Sequence, residues 1–201
     1  IGEIARAQTR LDAMRNSGPS AAAAEGARLL AQGQRTGAAQ ATAEFKDSDP
    51  MCALLYAEAT SDVVGVQAVM DKVGKTPRAL RALAAVAEES KAWERMEAAG
   101  RDLVNSGRGA AEGFEVLARF HAAMGDWEGA SDAAQRALAS GSERADMLHT
   151  VAAVSLRKSR PDANTVALFE QLVEHPHLAG HTNRQTVLVQ AAQTKVLIGD
   201  L

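Results

Sequence analysis

The chain's two tryptophans, Trp93 and Trp127, stand 34 residues apart, and the sequence around them repeats at that offset. The segments WERMEAAGRDLVNSG (93–107) and WEGASDAAQRALASG (127–141) agree at five of fifteen positions. Upstream, Leu80, Leu83 and Ala84 fall on Phe114, Leu117 and Ala118. Each triplet is an apolar i, i+3, i+4 stripe, which places its side chains on one face of a helix. Such a period constrains the fold more than local propensity does, because a short unit buries its apolar face only by stacking on its neighbours. Gly107 and Gly141 then occupy the place where a helix ends in a left-handed residue.

Composition agrees with helices. The chain is 46% hydrophobic but only 3% aromatic, and its shortage of isoleucine, tyrosine and phenylalanine leaves little material for strands. Alanine, leucine, arginine and glutamate favour helix instead. An alanine-rich interior lets helix axes approach closely.

The segment LARFHAAMGDWEGASDAAQRAL (117–138) resembles the tetratricopeptide repeat, a 34-residue helix–turn–helix unit. Counting a unit from Ala111 puts Phe114, Leu117, Ala118, Gly125, Asp126, Trp127, Ala130, Ala134 and Ala137 on the family's patterned positions. Small residues at 118, 130 and 137 permit close crossing, Leu117 and Trp127 fill the space between pairs, and Gly125-Asp126 makes the turn. The unit at 77–110 follows the same pattern through Leu83, Ala84 and Trp93, although Lys91 replaces the turn glycine and Gly100 lies inside the second helix. A unit at 145–180 keeps Leu148, Val151 and Ala152, with a longer turn at RPDAN, and a last one opens near Gln185. GQRTGAAQA (33–41) echoes GDWEGASDA (125–133); Pro19 or Ser20 opens that unit and Pro50 closes it. Residues 51–76 form a short pair whose second helix Ser61 caps, and residues 1–16 read as an orphan second helix. The expectation is one all-α domain over 1–201: a right-handed α-α superhelix, or solenoid, of about twelve helices, cut from a longer chain.

The resemblance also implies a surface. In this family, positions on the first helix of each pair line the concave face. Here these are Arg78, Arg81, Ala85, Glu88 and Glu89, then Glu112, Glu115, Arg119, Ala122 and Ala123, then Asp146, His149, Ala153, Leu156 and Arg157. Chaperone-binding members clamp a carboxylate there with Lys and Asn; no Asn stands at these positions, which argues against a heat-shock co-chaperone. A groove of mixed charge with small apolar residues suits an extended segment or an amphipathic helix. The implied function is a non-enzymatic scaffold that holds a protein or peptide partner. The alternative is an architectural, self-associating segment of a larger assembly.

Other chemistry finds little support. The net charge of −3 gives no general attraction to nucleic acid, and no apolar run nears the length of a membrane span, so membrane association would need flanking segments. Gly74-Lys75-Thr76 resembles the end of a phosphate loop, but Val69 stands where that loop needs glycine, so the triplet reads as a helix end and linker. His175, His177 and His181 could chelate zinc only if another ligand folded back. Pro176 interrupts them and no CxxC accompanies them, so an inserted loop without metal is expected. His121 and His149 read as packing or groove residues. Cys52 is the lone cysteine, has no histidine nearby and reads as a small buried hydrophobe. It leaves the compartment open, the cytoplasm being the expectation. No GxSxG or HExxH motif is present, and neither a cofactor nor a small-molecule substrate is expected.

Overall fold

The computed structural model describes residues 18–157, 163–174 and 184–198, and these residues are all helix, turn and connection without a strand. The expected orphan helix at 1–16 and the histidine loop with His175, His177 and His181 lie outside the described residues. Eleven helices are present among the described residues. They are α1 (Pro19–Ala31), α2 (Arg35–Thr42), α3 (Pro50–Ala59), α4 (Val63–Val73), α5 (Pro77–Glu89) and α6 (Trp93–Asn105), followed by α7 (Ala110–Ala123), α8 (Trp127–Ala139), α9 (Ala145–Arg157), α10 (Ala163–Glu174) and α11 (Arg184–Ile198). The chain sorts into two compact units, Ile1–Met96 and Glu97–Leu201.

Helix starts follow from their first residues. Pro19, Pro50 and Pro77 each open a helix, where a missing N–H costs nothing and the fixed φ suits the first turn. Asp49 caps α3 by accepting from the Cys52 amide at 2.8 Å. Thr76 caps α5 at the Ala79 amide, 3.2 Å away, and Asp126 caps α8 at the Gly129 amide, 3.0 Å away. The cap of α4 corrects the sequence reading: Asp62, not Ser61, accepts from the Gly65 amide, at 2.9 Å.

Ser61 instead belongs to a turn that recurs five times. Gly33, Ser61, Lys91, Gly125 and Gly141 all have positive φ, between 56° and 94°. In each turn the next residue's amide reaches back five residues: Gln34 to Leu29, Asp62 to Ala57, Ala92 to Ala87, Asp126 to His121 and Ser142 to Ala137, all at 2.8–2.9 Å. The positive-φ residue itself bonds the carbonyl three back, and the two bonds together close the end of the preceding helix. Glycine takes this conformation freely, whereas a side chain there costs about 1–2 kcal/mol. Ser61 and Lys91 therefore hold strained positions.

In the first unit α1 packs on α2 and α3, and α3 on α4 and α5. Ala22, Ala23, Cys52 and Leu55 form one interior cluster, with Leu30 and Phe45 against it. In the second unit α7 packs on α8, α8 on α9, α9 on α10 and α10 on α11. Its interior holds Ala118, Ala133, Ala134, Ala137, Met147 and Val151, with Leu117 alongside, and a second cluster of Ala152, Phe169, Leu172 and Val187. Leu83, Ala84 and Ala130 are buried as expected. Gly100, which the repeat pattern does not call for, lies where a Cβ would press on the Leu117 and Val116 side chains at 3.0–3.1 Å, and the closer approach is at Gly113. A Cβ on Gly113 of α7 would lie 2.6 Å from the Val104 amide nitrogen and 2.7 Å from the Gly100 carbonyl oxygen, so α6 and α7 cross with their backbones nearly touching.

Trp127 is not the interior wedge that its repeat position suggested. It is 41% exposed, and Trp93 is only partly buried. Trp127 is the first residue of α8, with no preceding turn of that helix for its side chain to lean on. The alanines at 130, 133, 134 and 137 make the buried contact in its place.

Candidate functional site

In the first unit, four of the five residues assigned to the inner face of the 77–110 pair converge on one depression. Arg78, Arg81, Ala85 and Glu89 of α5 line it with Ala27, Leu30 and Ala31 of α1, Gly33, Arg35 of α2 and Glu58 of α3. The space is about 560 Å³ and opens to solvent. Glu88, the fifth, is half-buried on α5 outside this lining. Small residues keep the floor shallow, and charged side chains stand around it.

Those charges are organised by Arg35, which sequence reasoning did not single out. Its Nε donates to the Ala59 carbonyl at 3.2 Å and its Nη2 to the Glu58 carbonyl, so the guanidinium closes the C-terminal end of α3, where a cation is favourable. Its Nη1 pairs with Glu89. The Ser61 hydroxyl accepts from Arg35 Nη2 at 3.0 Å and donates to Glu89 Oε2 at 2.7 Å. These bonds offset the left-handed strain at Ser61, each contributing about 1 kcal/mol. Burial pushes the Glu89 carboxyl up, but the Ser61 hydroxyl and the Arg35 guanidinium outweigh it and hold the group below its ordinary value. Arg78 pairs with the Glu58 carboxylate on the same wall.

The residues that the resemblance assigns to the inner face in the second unit engage their own neighbours. Glu115 accepts from the Ser142 hydroxyl at 2.5 Å and lies 3.9 Å from Arg144, which also pairs with Asp146 at 2.9 Å. Burial raises the Asp146 carboxyl, yet Arg144 and, from farther off, Arg119 bring it below its ordinary value. His149 Nε2 is 3.3 Å from Gln190 Oε1 on α11. Glu112 and Arg119 are half-buried on α7. The side chains of Leu156 and Arg157 lie outside those described. Glu112, Glu115, Arg119, Asp146 and His149 do not line the depression of the first unit.

The remaining motifs resolve into structure. Gly74 ends α4 with a φ of 84° and Thr76 caps α5, so Gly74-Lys75-Thr76 is a helix stop and start. His121 Nδ1 lies 2.8 Å from Asp126 Oδ2 beside the turn between α7 and α8. Among the described residues no cluster of three or more His, Cys, Asp or Glu is placed to hold a metal ion, and no helix is long and apolar enough to cross a membrane. No protein-family model matches this chain, and no curated protein matches it.

Cys52 is fully buried, and its Sγ lies 3.3 Å from the Pro19 carbonyl. Burial, then the hydrogen bond and charge of Asp49, push its thiol up to about 11. A thiol so placed is a poor nucleophile, since the thiolate is the reactive form. Iodoacetamide at neutral pH is expected to spare Cys52 in the folded chain and alkylate it in denaturant, as intact mass will show. The folded state holds a proton that the unfolded chain releases first. Stability is therefore expected to fall as pH rises from about 9 toward about 11, read from urea midpoints.

Proposed function

We propose that this protein is a tetratricopeptide-like array of helix pairs that binds a protein or peptide partner along its inner face, without catalysis. One observation carries the reading: Arg78, Arg81, Ala85 and Glu89, assigned to that face by the repeat register alone, line a single depression together with residues of α1, α2 and α3. The recurring left-handed turn supports the repeat itself. It closes the first helix of the 19–49, 50–76, 77–110 and 111–144 segments in the same way, at residues 33, 61, 91 and 125. A shallow floor of alanines with charged walls suits a segment that brings its own backbone and short side chains.

The test is capture of partners from native extract by the immobilised protein and by an Arg81→Glu/Ala85→Gln variant. This pair reverses one wall charge and obstructs the floor while leaving the Arg35 and Arg78 pairings in place. Loss of specific partners by the variant, with helicity and thermal midpoint retained, is the expected result. Retention of every partner removes the groove from the account. Exposed Leu188, Val189 and Val196 on α11 favour a second reading, self-association, which sedimentation at rising protein concentration separates from the first.

A further inference from the structure

We infer that Arg35, Ser61 and Glu89 form a releasable strap across the depression of the first unit, which holds α1 and α2 to α5 while Glu89 is ionised and lets them loosen when that charge is lost. Such a strap acts whether or not the depression takes a partner. The helix packing of this unit is local: α2 rests on α1 and α3, and α5 on α3 and α4. Stacked helices joined only to near neighbours can open one group at a time from an end. Arg35 breaks that pattern. Its Nη1 pairs with Glu89, 54 residues further along the chain, so one guanidinium joins α2 directly to α5. Ser61 doubles the link from the turn after α3, where its φ of 56° is a conformation that strains serine. Its hydroxyl accepts from Arg35 Nη2 at 3.0 Å and donates to Glu89 Oε2 at 2.7 Å. Both Glu89 oxygens are thereby engaged, Oε1 by Arg35 and Oε2 by Ser61. Arg35 and Glu89 line the depression from α2 and α5, so their bond spans it.

The strap can let go because its two halves are held differently. Arg35 is also anchored on the Ala59 and Glu58 carbonyls, which do not titrate. Glu89 holds Arg35 through its charge and is 45% exposed, so protons and salt reach it. The other charges nearby are committed. Glu58 of α3 pairs with Arg78 of α5, Asp62 caps α4, and Arg81 and Glu88 of α5 have interactions of their own. From α1 only Ala27, Leu30 and Ala31 join the lining, and α4 adds no side chain to it. Burial raises the Glu89 carboxyl, but Ser61 and Arg35 bring it below its ordinary value. A carboxyl held low contributes stability above the ordinary carboxyl range, and that contribution is lost as pH falls below it.

Hydrogen exchange of the full chain at neutral pH, read by mass spectrometry of its peptides, tests the strap. Glu89→Gln keeps the side chain's shape and removes its charge. It is expected to speed exchange of the α1 and α2 amides about two- to fivefold, the range that partly exposed ion pairs support, and to leave α7 and α8 unchanged. Arg35→Met should also speed α1 and α2, and adding Glu89→Gln to it should change little more, because the pair is already broken. Glu88→Gln, one residue away, should leave the α1 and α2 amides as they are. The difference in urea midpoint between wild type and Glu89→Gln should hold steady above the carboxyl range and shrink as pH falls through it. Unchanged exchange in Glu89→Gln, an equal effect of Glu88→Gln, additive losses in the double variant, or a midpoint difference indifferent to pH each overturns the strap. So does loss of the whole fold in Glu89→Gln, which would make Glu89 a general support of the unit.

Discussion

Replacing Phe169 by alanine is expected to destabilise the protein by about 3–5 kcal/mol, the cost of deleting a fully buried aromatic ring and leaving a cavity. Phe169 has no exposed surface; it sits in the cluster of Ala152, Leu172 and Val187, with Leu148 and Ala191 against it. Surrounded by alanine and branched side chains held on three helices, the space cannot easily collapse. Trp127→Ala is the control. It removes a larger side chain, but one already 41% exposed, and should cost about 1–2 kcal/mol. Urea unfolding of the two variants checks the ranking. Equal losses, or a larger loss at Trp127, would mean that the indole is the interior wedge after all.

Gly113→Val is expected to cost about 3 kcal/mol, near the upper end of overpacking penalties. A Cβ at this position lies 2.6 Å from the Val104 amide nitrogen and 2.7 Å from the Gly100 carbonyl. Those are backbone atoms of α6, so no rotamer change relieves the clash and the helices must part. Gly113→Ala should lose less, about 1–2 kcal/mol, since better helix propensity returns roughly 1 kcal/mol. Gly100→Ala is the comparison: the nearest atoms to its Cβ are side-chain atoms of Leu117 and Val116 at 3.0–3.1 Å, which can give way. Thermal melts followed by circular dichroism should place Gly113→Val as the most destabilised, Gly113→Ala next and Gly100→Ala last. A wild-type midpoint for Gly113→Val would contradict the close crossing.

Much of this architecture is legible in the residues. The helix starts at Pro19 and Pro77 and the turn at Gly125-Asp126 follow from backbone chemistry that only a few residue types satisfy, whereas Pro50, read as closing the first unit, instead opens α3. The burial of Ala118, Ala130 and Ala137 follows from helical period. Period misplaces Trp127 because it assigns a side chain to a face and takes no account of its place at the first residue of α8, where it stays 41% exposed. Ser61 reads as a cap because serine is the better-known occupant of that role than of a left-handed turn. Arg35 escapes a sequence reading because its acceptors lie 23 and 24 residues away, and Glu89 lies 54 away. A signal is nonetheless present: in the match between 33–41 and 125–133, Arg35 falls on Trp127. Both are the first residue of a helix that follows a left-handed turn, at Gly33 and Gly125.

The helix pairings described for each unit join elements no more than two apart along the chain, and each of the five left-handed turns is closed by atoms within five residues. The loops to be shut during folding are accordingly short, and short loops carry little entropic penalty. A nascent chain leaving the ribosome therefore has partners for each hairpin almost as soon as it is made, without waiting for distant sequence. Folding can advance with synthesis, and a chain halted partway would already hold order in what had emerged.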